Sequence, residues 1–258
     1  MKLFRAIFQF FKSLTVAFSI YSKIPVPRFN WGSDDMKYHL IFFPWVGAVI
    51  GAAEWGWYKL AFSSNQLFYI LIALAIPVLI SGGFHLDGFL DTMDALHSYG
   101  DRQKKLEILK DPHVGAFAVI SFAVYLLLAA AFLSLADESS SKAVICICFT
   151  FFISRCLSGL SVIIFQKAKA DGMLAAESAT KKPLFVIVCL LLQFILAACV
   201  MVWLAGISAL ITLSAIMLSF LYYYAMSRKH FGGITGDLAG FFVCLAELSG
   251  MITLFYGA

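Results

Sequence analysis

The stretch SGGFHLDGFLDTMDAL, residues 81–96, closes a long apolar run with three aspartates, Asp87, Asp91 and Asp94, at i, i+4 and i+7. On a helix turning about 100° per residue they fall at roughly 0°, 40° and −20°, which is one narrow face. A carboxylate near lipid is costly, and three within two turns repel one another. A divalent cation resolves both problems. Carboxylate oxygens suit magnesium or manganese, with substrate phosphates completing the shell.

The rest of the chain explains why lipid is the relevant surrounding. Of its 258 residues 62% are apolar and only 13% charged, against about 25% charged in soluble domains. A soluble fold of this size has no room to hide that much apolar surface. The chain therefore reads as an all-α, polytopic membrane bundle. Its net charge of +4 does not point to nucleic acid, because the lysines and arginines mark topology. The six cysteines all lie in apolar runs without a CxxC pair. They read as small buried hydrophobes, with no disulfide and no zinc site expected.

Spanning takes about 20 apolar residues. Candidate spans are roughly 38–58, 67–90, 114–136, 143–165, 184–205, 208–227 and 237–256, which makes six to seven crossings. The 45 residues from Pro183 to Ser227 carry no charge, enough for two helices with a turn expected near Gly206. Residues 1–28 lack a signal-peptide pattern, since Lys12 interrupts the apolar stretch. They read as an amphipathic or partly inserted helix ended by Pro25 and Pro27. One membrane domain is expected: an interfacial segment 1–28, then a bundle over 38–258 with a cytoplasmic loop 91–113.

Charge sets the orientation. With a cytoplasmic N-terminus, sixteen Lys and Arg fall on inner segments, including Lys23, Arg28, Lys110, Lys169 and Lys181. Only Lys59 and Lys142 fall outside, and Arg155 lies within a span. This places the aspartate face at the cytoplasmic end of the second span. Substrate then approaches from the cytosol or the inner leaflet.

Further polar residues stand near that level. His85 projects opposite Asp87 on an unbroken helix, although Gly82 and Gly83 are positioned to break it; it is a candidate general base. In LKDPHVGAF, residues 109–117, Asp111 is placed to cap the third span behind Pro112, with Lys110 and the amides near Gly115 facing a phosphate. Arg155 and Glu247 fall at matching depths of about 18 and 15 Å, so they are expected to be neighbours. Asp237 opens the last span in a glycine-rich segment at the depth of the aspartates. Glu54, near the outer end of the first span, is expected to pair with Lys59 at the surface.

SGGFHLDGFLDTMDAL, LEILKDPHVGAF, the ISR of span four and TGDLAG with its following Glu resemble, in order, the cobalamin synthase family, the adenosylcobinamide-GDP ribazoletransferases. Pro112 replaces the family's usual serine, Ala95 its glycine, and Cys244 an acid often found in the last span. The resemblance implies magnesium-dependent phosphoryl transfer. The cobinamide phosphoryl group of adenosylcobinamide-GDP passes to a ribose hydroxyl of α-ribazole or its 5′-phosphate, and GMP leaves. On that reading Asp87, Asp91 and Asp94 hold Mg2+, and a carboxylate or His85 takes the hydroxyl proton. Lys110, Asp111, Gly115, Arg155, Asp237 and Glu247 line the substrate. Expected partners are these substrates and membrane lipid; an oligomer stays open. The membrane would be the bacterial cytoplasmic membrane. Two other classes match the sequence less well. A CDP-alcohol phosphotransferase needs an arginine pattern that DGFLDTMD lacks, and a transporter would place its densest acids near mid-membrane.

Overall fold

A computed structural model describes residues 2–27, 29, 32, 35–61, 65–137, 139–168 and 182–256, almost wholly as helix. Of the basic residues counted for orientation, Arg28, Lys169 and Lys181 lie outside the described residues. Helix α1 (Lys2–Tyr21) precedes α2 (His39–Ala61), α3 (Gln66–Ser81), α4 (Phe84–His97) and the short α5 (Arg102–Ile108). Then come α6 (Ala116–Leu133), α7 (Ser141–Ile164), α8 (Pro183–Ala205) and α9 (Ile207–Met226). A π-turn (Ser227–Phe231) leads into α10 (Gly236–Gly250), and α11 (Thr253–Tyr256) closes the described chain.

Six helices are long and apolar enough to cross a membrane, seven if the bent pair α3–α4 is one crossing. The multi-pass helical bundle expected from composition is what the chain forms. Gly206 turns α8 into α9, as expected from the uncharged run.

The second span differs from the single helix over 67–90. Gly82 and Gly83 both take positive φ, 73° and 79°, a region that side chains disfavour. Two such residues in succession end α3, and α4 leaves at 98° to it. The acid stripe is thereby carried on a helix of its own.

The packed centre is α7 and α10; α6, α8 and α9 turn most of their apolar surface outward. Small residues allow the close crossings. On α2, Gly47 and Gly51 lie against the carbonyls of Phe151 and Cys148, where a Cβ has no room. Gly47, Gly51, Glu54 and Tyr58 form one buried stripe at helical spacing. Helix α1 docks on α2 through Phe10 on Phe42 and Tyr21 on Phe43, centroids 4.5 and 4.2 Å apart.

Polar bonds stitch each end of the bundle. At one end Tyr58 donates to the Asp137 carbonyl (3.0 Å) and Gln66 to that of Ser134 (2.7 Å). At the other end Lys23 N–H donates to Ile80 O (2.8 Å) and Arg102 Nε to Phe231 O (2.7 Å). A lone bridge there joins Lys167 to Ile234. Lys59 and Lys142 belong to the first end. Lys23, Lys105, Lys110, Lys167, Arg228 and Lys229 belong to the second, where the aspartates also lie.

Candidate active site

The acid site forms where α4 meets α10. Gly88 on α4 sits over Asp237: a Cβ there would stand 2.6 Å from the Asp237 carbonyl oxygen. Gly240 on α10 sits over His85 a little less tightly, its Cβ position 3.0 Å from the His85 carbonyl oxygen. Two glycines on facing helices let the backbones touch, and this brings Asp237 to the aspartates of α4. Thr235 caps α10 by accepting from Leu238 N–H (3.3 Å) and donates a long bond to Asp237 Oδ2 (3.4 Å).

Asp87 is exposed; Asp91 and Asp94 are half-buried. The charges of Asp87, Asp237 and Asp94 all bear on the Asp91 carboxyl. Four acids thus act on one another at the mouth of the bundle. Among the described residues no three His, Cys, Asp or Glu side chains already converge as a metal cage. Magnesium needs no such cage. It is held by one or two carboxylates together with substrate phosphates, and the hard, mutually repelling carboxylates of Asp87, Asp91 and Asp237 fit that description.

Asp94 has a different setting from its neighbours on the stripe. Its Oδ2 accepts from Gly115 N–H (2.6 Å) and its Oδ1 from Ala118 N–H (2.8 Å). It caps the start of α6 from a separate helix. The absence of a side chain at Gly115 leaves room for that carboxylate, since a Cβ would fall 2.6 Å from Asp94 Oδ1. The cap expected from Asp111 is not made. That residue is four positions upstream of Gly115, and its Oδ1 accepts instead from His113 N–H (3.0 Å) and the His113 ring (2.6 Å). Those two bonds hold the exposed Asp111 carboxyl below its usual range. Lys110 is exposed on the turn after α5.

His85 lies on the inward side of α4, 5% exposed, against Phe43 at 5.5 Å between ring centroids. Asp87 faces solvent, so the imidazole and the exposed carboxylate are on opposite faces. Deeper still, Arg155 Nη1 donates to Glu247 Oε1 at 2.7 Å, with both side chains buried. The two helix depths counted from the sequence did bring these residues together. Arg155 also donates to Phe151 O (2.8 Å). Glu54 was expected at the surface beside Lys59 but is 7% exposed, with Oε1 lacking a partner. It belongs to the inward stripe of α2, while Lys59 sits over the Trp55 and Tyr58 rings at 4.6 and 5.3 Å.

Two site-building residues carried no local signal. Lys105, counted only as a topological charge, is buried, and its Nζ donates to the carbonyls of Ala95, Leu96 and Ser98 at 2.7, 3.0 and 2.7 Å. It satisfies the C-terminal end of α4, and burial lowers its pKa. Lys23, at the end of α1, shares a cavity of about 440 Å³ with Asp87, Ser81, Gly82 and Gly83.

Comparison with known proteins gives a consistent picture. Residues 13–255 match the cobalamin-5-phosphate synthase family. The chain is 41% identical over 246 residues to an adenosylcobinamide-GDP ribazoletransferase of Lachnoclostridium phytofermentans, covering 93% of this chain and 92% of that protein. It is 33% identical to one of Clostridium perfringens, covering 95% and 98%, and 32% identical to one of Pseudomonas fluorescens, covering 86% and 89%. No solved structure matches.

Proposed function

The chain belongs to the cobalamin-5-phosphate synthase family, and on that premise we propose how its acid site works. The activity is adenosylcobinamide-GDP ribazoletransferase. The phosphoryl group carrying cobinamide passes to α-ribazole or its 5′-phosphate, in the last steps of vitamin B12 assembly. A ribose oxygen–phosphorus bond forms, the bond from that phosphorus to the GMP oxygen breaks, and GMP departs with the electron pair.

The observation that carries the site assignment is the close approach of Gly88 to the Asp237 backbone and of Gly240 to the His85 backbone, which sets Asp237 beside Asp87 and Asp91. These three carboxylates would hold Mg2+ on the diphosphate. The ion supplies Lewis-acid neutralisation of the phosphate oxygens. Asp94 keeps α4 and the start of α6 in register, so that the stripe and the Lys110–Gly115 loop share one rim. A carboxylate of the stripe accepts the hydroxyl proton. His85 and the Arg155–Glu247 pair underpin the floor of the site from within the bundle.

The site end also gathers most of the basic residues, which supports a cytoplasmic site in the bacterial cytoplasmic membrane with the N-terminus inside. Both substrates then arrive from the cytosol or the inner leaflet, over membrane lipid. Asp87→Asn and Asp91→Asn should each abolish GMP release by purified protein in magnesium while leaving membrane insertion intact. Full turnover in either variant removes the assignment.

A further inference from the structure

The cavity that holds Asp87 does not end there. A second cavity, about 670 Å³, adjoins it and shares Ser19, Ser22 and Lys23 as lining, then runs on past Thr15 to Pro25 and Phe29. Together the two are of the size that takes a nucleotide-scale ligand. One wall is the last turn of α1 with its following segment. The other is the Gly82–Gly83 hinge. Lys23 stands where the two cavities meet.

Its placement is fixed. The Lys23 N–H is tied to Ile80 O (2.8 Å), and its aliphatic stem crosses Gly82 so closely that a Cβ there would lie 2.5 Å from Lys23 Cε. Gly82 therefore serves twice, by its φ of 73° and by giving the stem passage. Among the described residues no carboxylate lies within ion-pair distance of the Lys23 ammonium. A cation held at a hinge, unmatched by protein charge and sharing a cavity with a proposed metal ligand, is placed to meet a phosphate.

Resting on the reading of the acid site above, we propose that this groove binds the GMP portion of adenosylcobinamide-GDP and that Lys23 holds its α-phosphate. Helix α1 is then a substrate-binding wall as well as a membrane anchor. The diphosphate end of the ligand would face Asp87, and the departing nucleotide would lie along Ser19 and Ser22.

The test is steady-state kinetics of purified Lys23→Gln, Lys23→Arg and Ser19→Trp, with GMP as product inhibitor. Loss of one charge-assisted phosphate contact should raise KM for adenosylcobinamide-GDP and Ki for GMP together, by roughly tenfold or more. KM for α-ribazole should not change, and Lys23→Arg should recover most of the loss. Ser19 is exposed, so Ser19→Trp should fold, fill the groove and reproduce the same pattern. Wild-type KM and Ki in Lys23→Gln, or equal losses in the glutamine and arginine variants, overturn the proposal. The acid site is judged separately: an active Asp87→Asn beside an impaired Lys23→Gln sinks the metal assignment and leaves the groove standing.

Discussion

Adding one methyl group at Gly88 should separate the two halves of the site. In Gly88→Ala the new Cβ stands 2.6 Å from the Asp237 carbonyl oxygen and 2.8 Å from its Cα, about 0.8 and 0.6 Å short of the 3.4 Å at which ordinary contact begins. Both partners are helix backbone, so no side chain can swing aside. Helices α4 and α10 must part by most of an ångström, or α4 must shear. Overpacking of this kind costs about 1–3 kcal/mol, which a bundle of this size survives. Catalysis should suffer more, because displacement near 1 Å of positioned groups costs up to about a hundredfold. We expect kcat/KM for GMP release to fall between tenfold and a hundredfold, with the folded fraction checked by gel filtration in detergent. Gly56→Ala is the control: nothing lies within 4 Å of its Cβ position, so activity should hold. A folded Gly88→Ala enzyme with wild-type kcat/KM would refute the claim that this contact assembles the site.

Other consequences concern stability. Arg155→Met or Glu247→Leu alone should lower stability by about 3–5 kcal/mol, because each leaves a buried charge unpaired, whereas the double variant should lose far less; thermal unfolding in micelles measures the cycle, and additive losses would contradict a direct pair. Asp94→Ala and Gly115→Ala should each cost about 1–2 kcal/mol by breaking the same α6 cap, and their effects should not add. Lys105→Met should cost about 2–3 kcal/mol through three lost carbonyl bonds, while exposed Lys104→Met stays within about 0.5 kcal/mol; equal effects would remove Lys105 from the α4 cap.

What the sequence disclosed and what it withheld follow from the range of the interactions. Helical periodicity is local, so Asp87, Asp91 and Asp94 could be placed on one face before any contact was known. Depth counted at 1.5 Å per residue is nearly as local, and it sufficed to pair Arg155 with Glu247 across 92 residues. Glu54 escaped the same counting because depth along a span does not say which way a side chain turns. Its direction is set by Gly47 and Gly51, whose role appears only once α7 lies against them. Asp94 and Lys105 act on backbone groups 21 and 10 residues away, and nothing in their own neighbourhood announces those partners. The hinge at Gly82–Gly83 was visible as a pair of glycines. Its 98° angle was not, since two positive φ values permit a turn without fixing its direction. Lys23 looked like any interfacial lysine until the hinge brought Asp87 to it.

The metal-held acid stripe can be tested most directly by following GMP release from adenosylcobinamide-GDP by the purified protein as magnesium is chelated and restored. Release should fall to background on chelation and return with magnesium, and Asp91→Asn should remain at background throughout. Turnover that persists unchanged in excess chelator, or an Asp91→Asn enzyme as active as wild type, would contradict it.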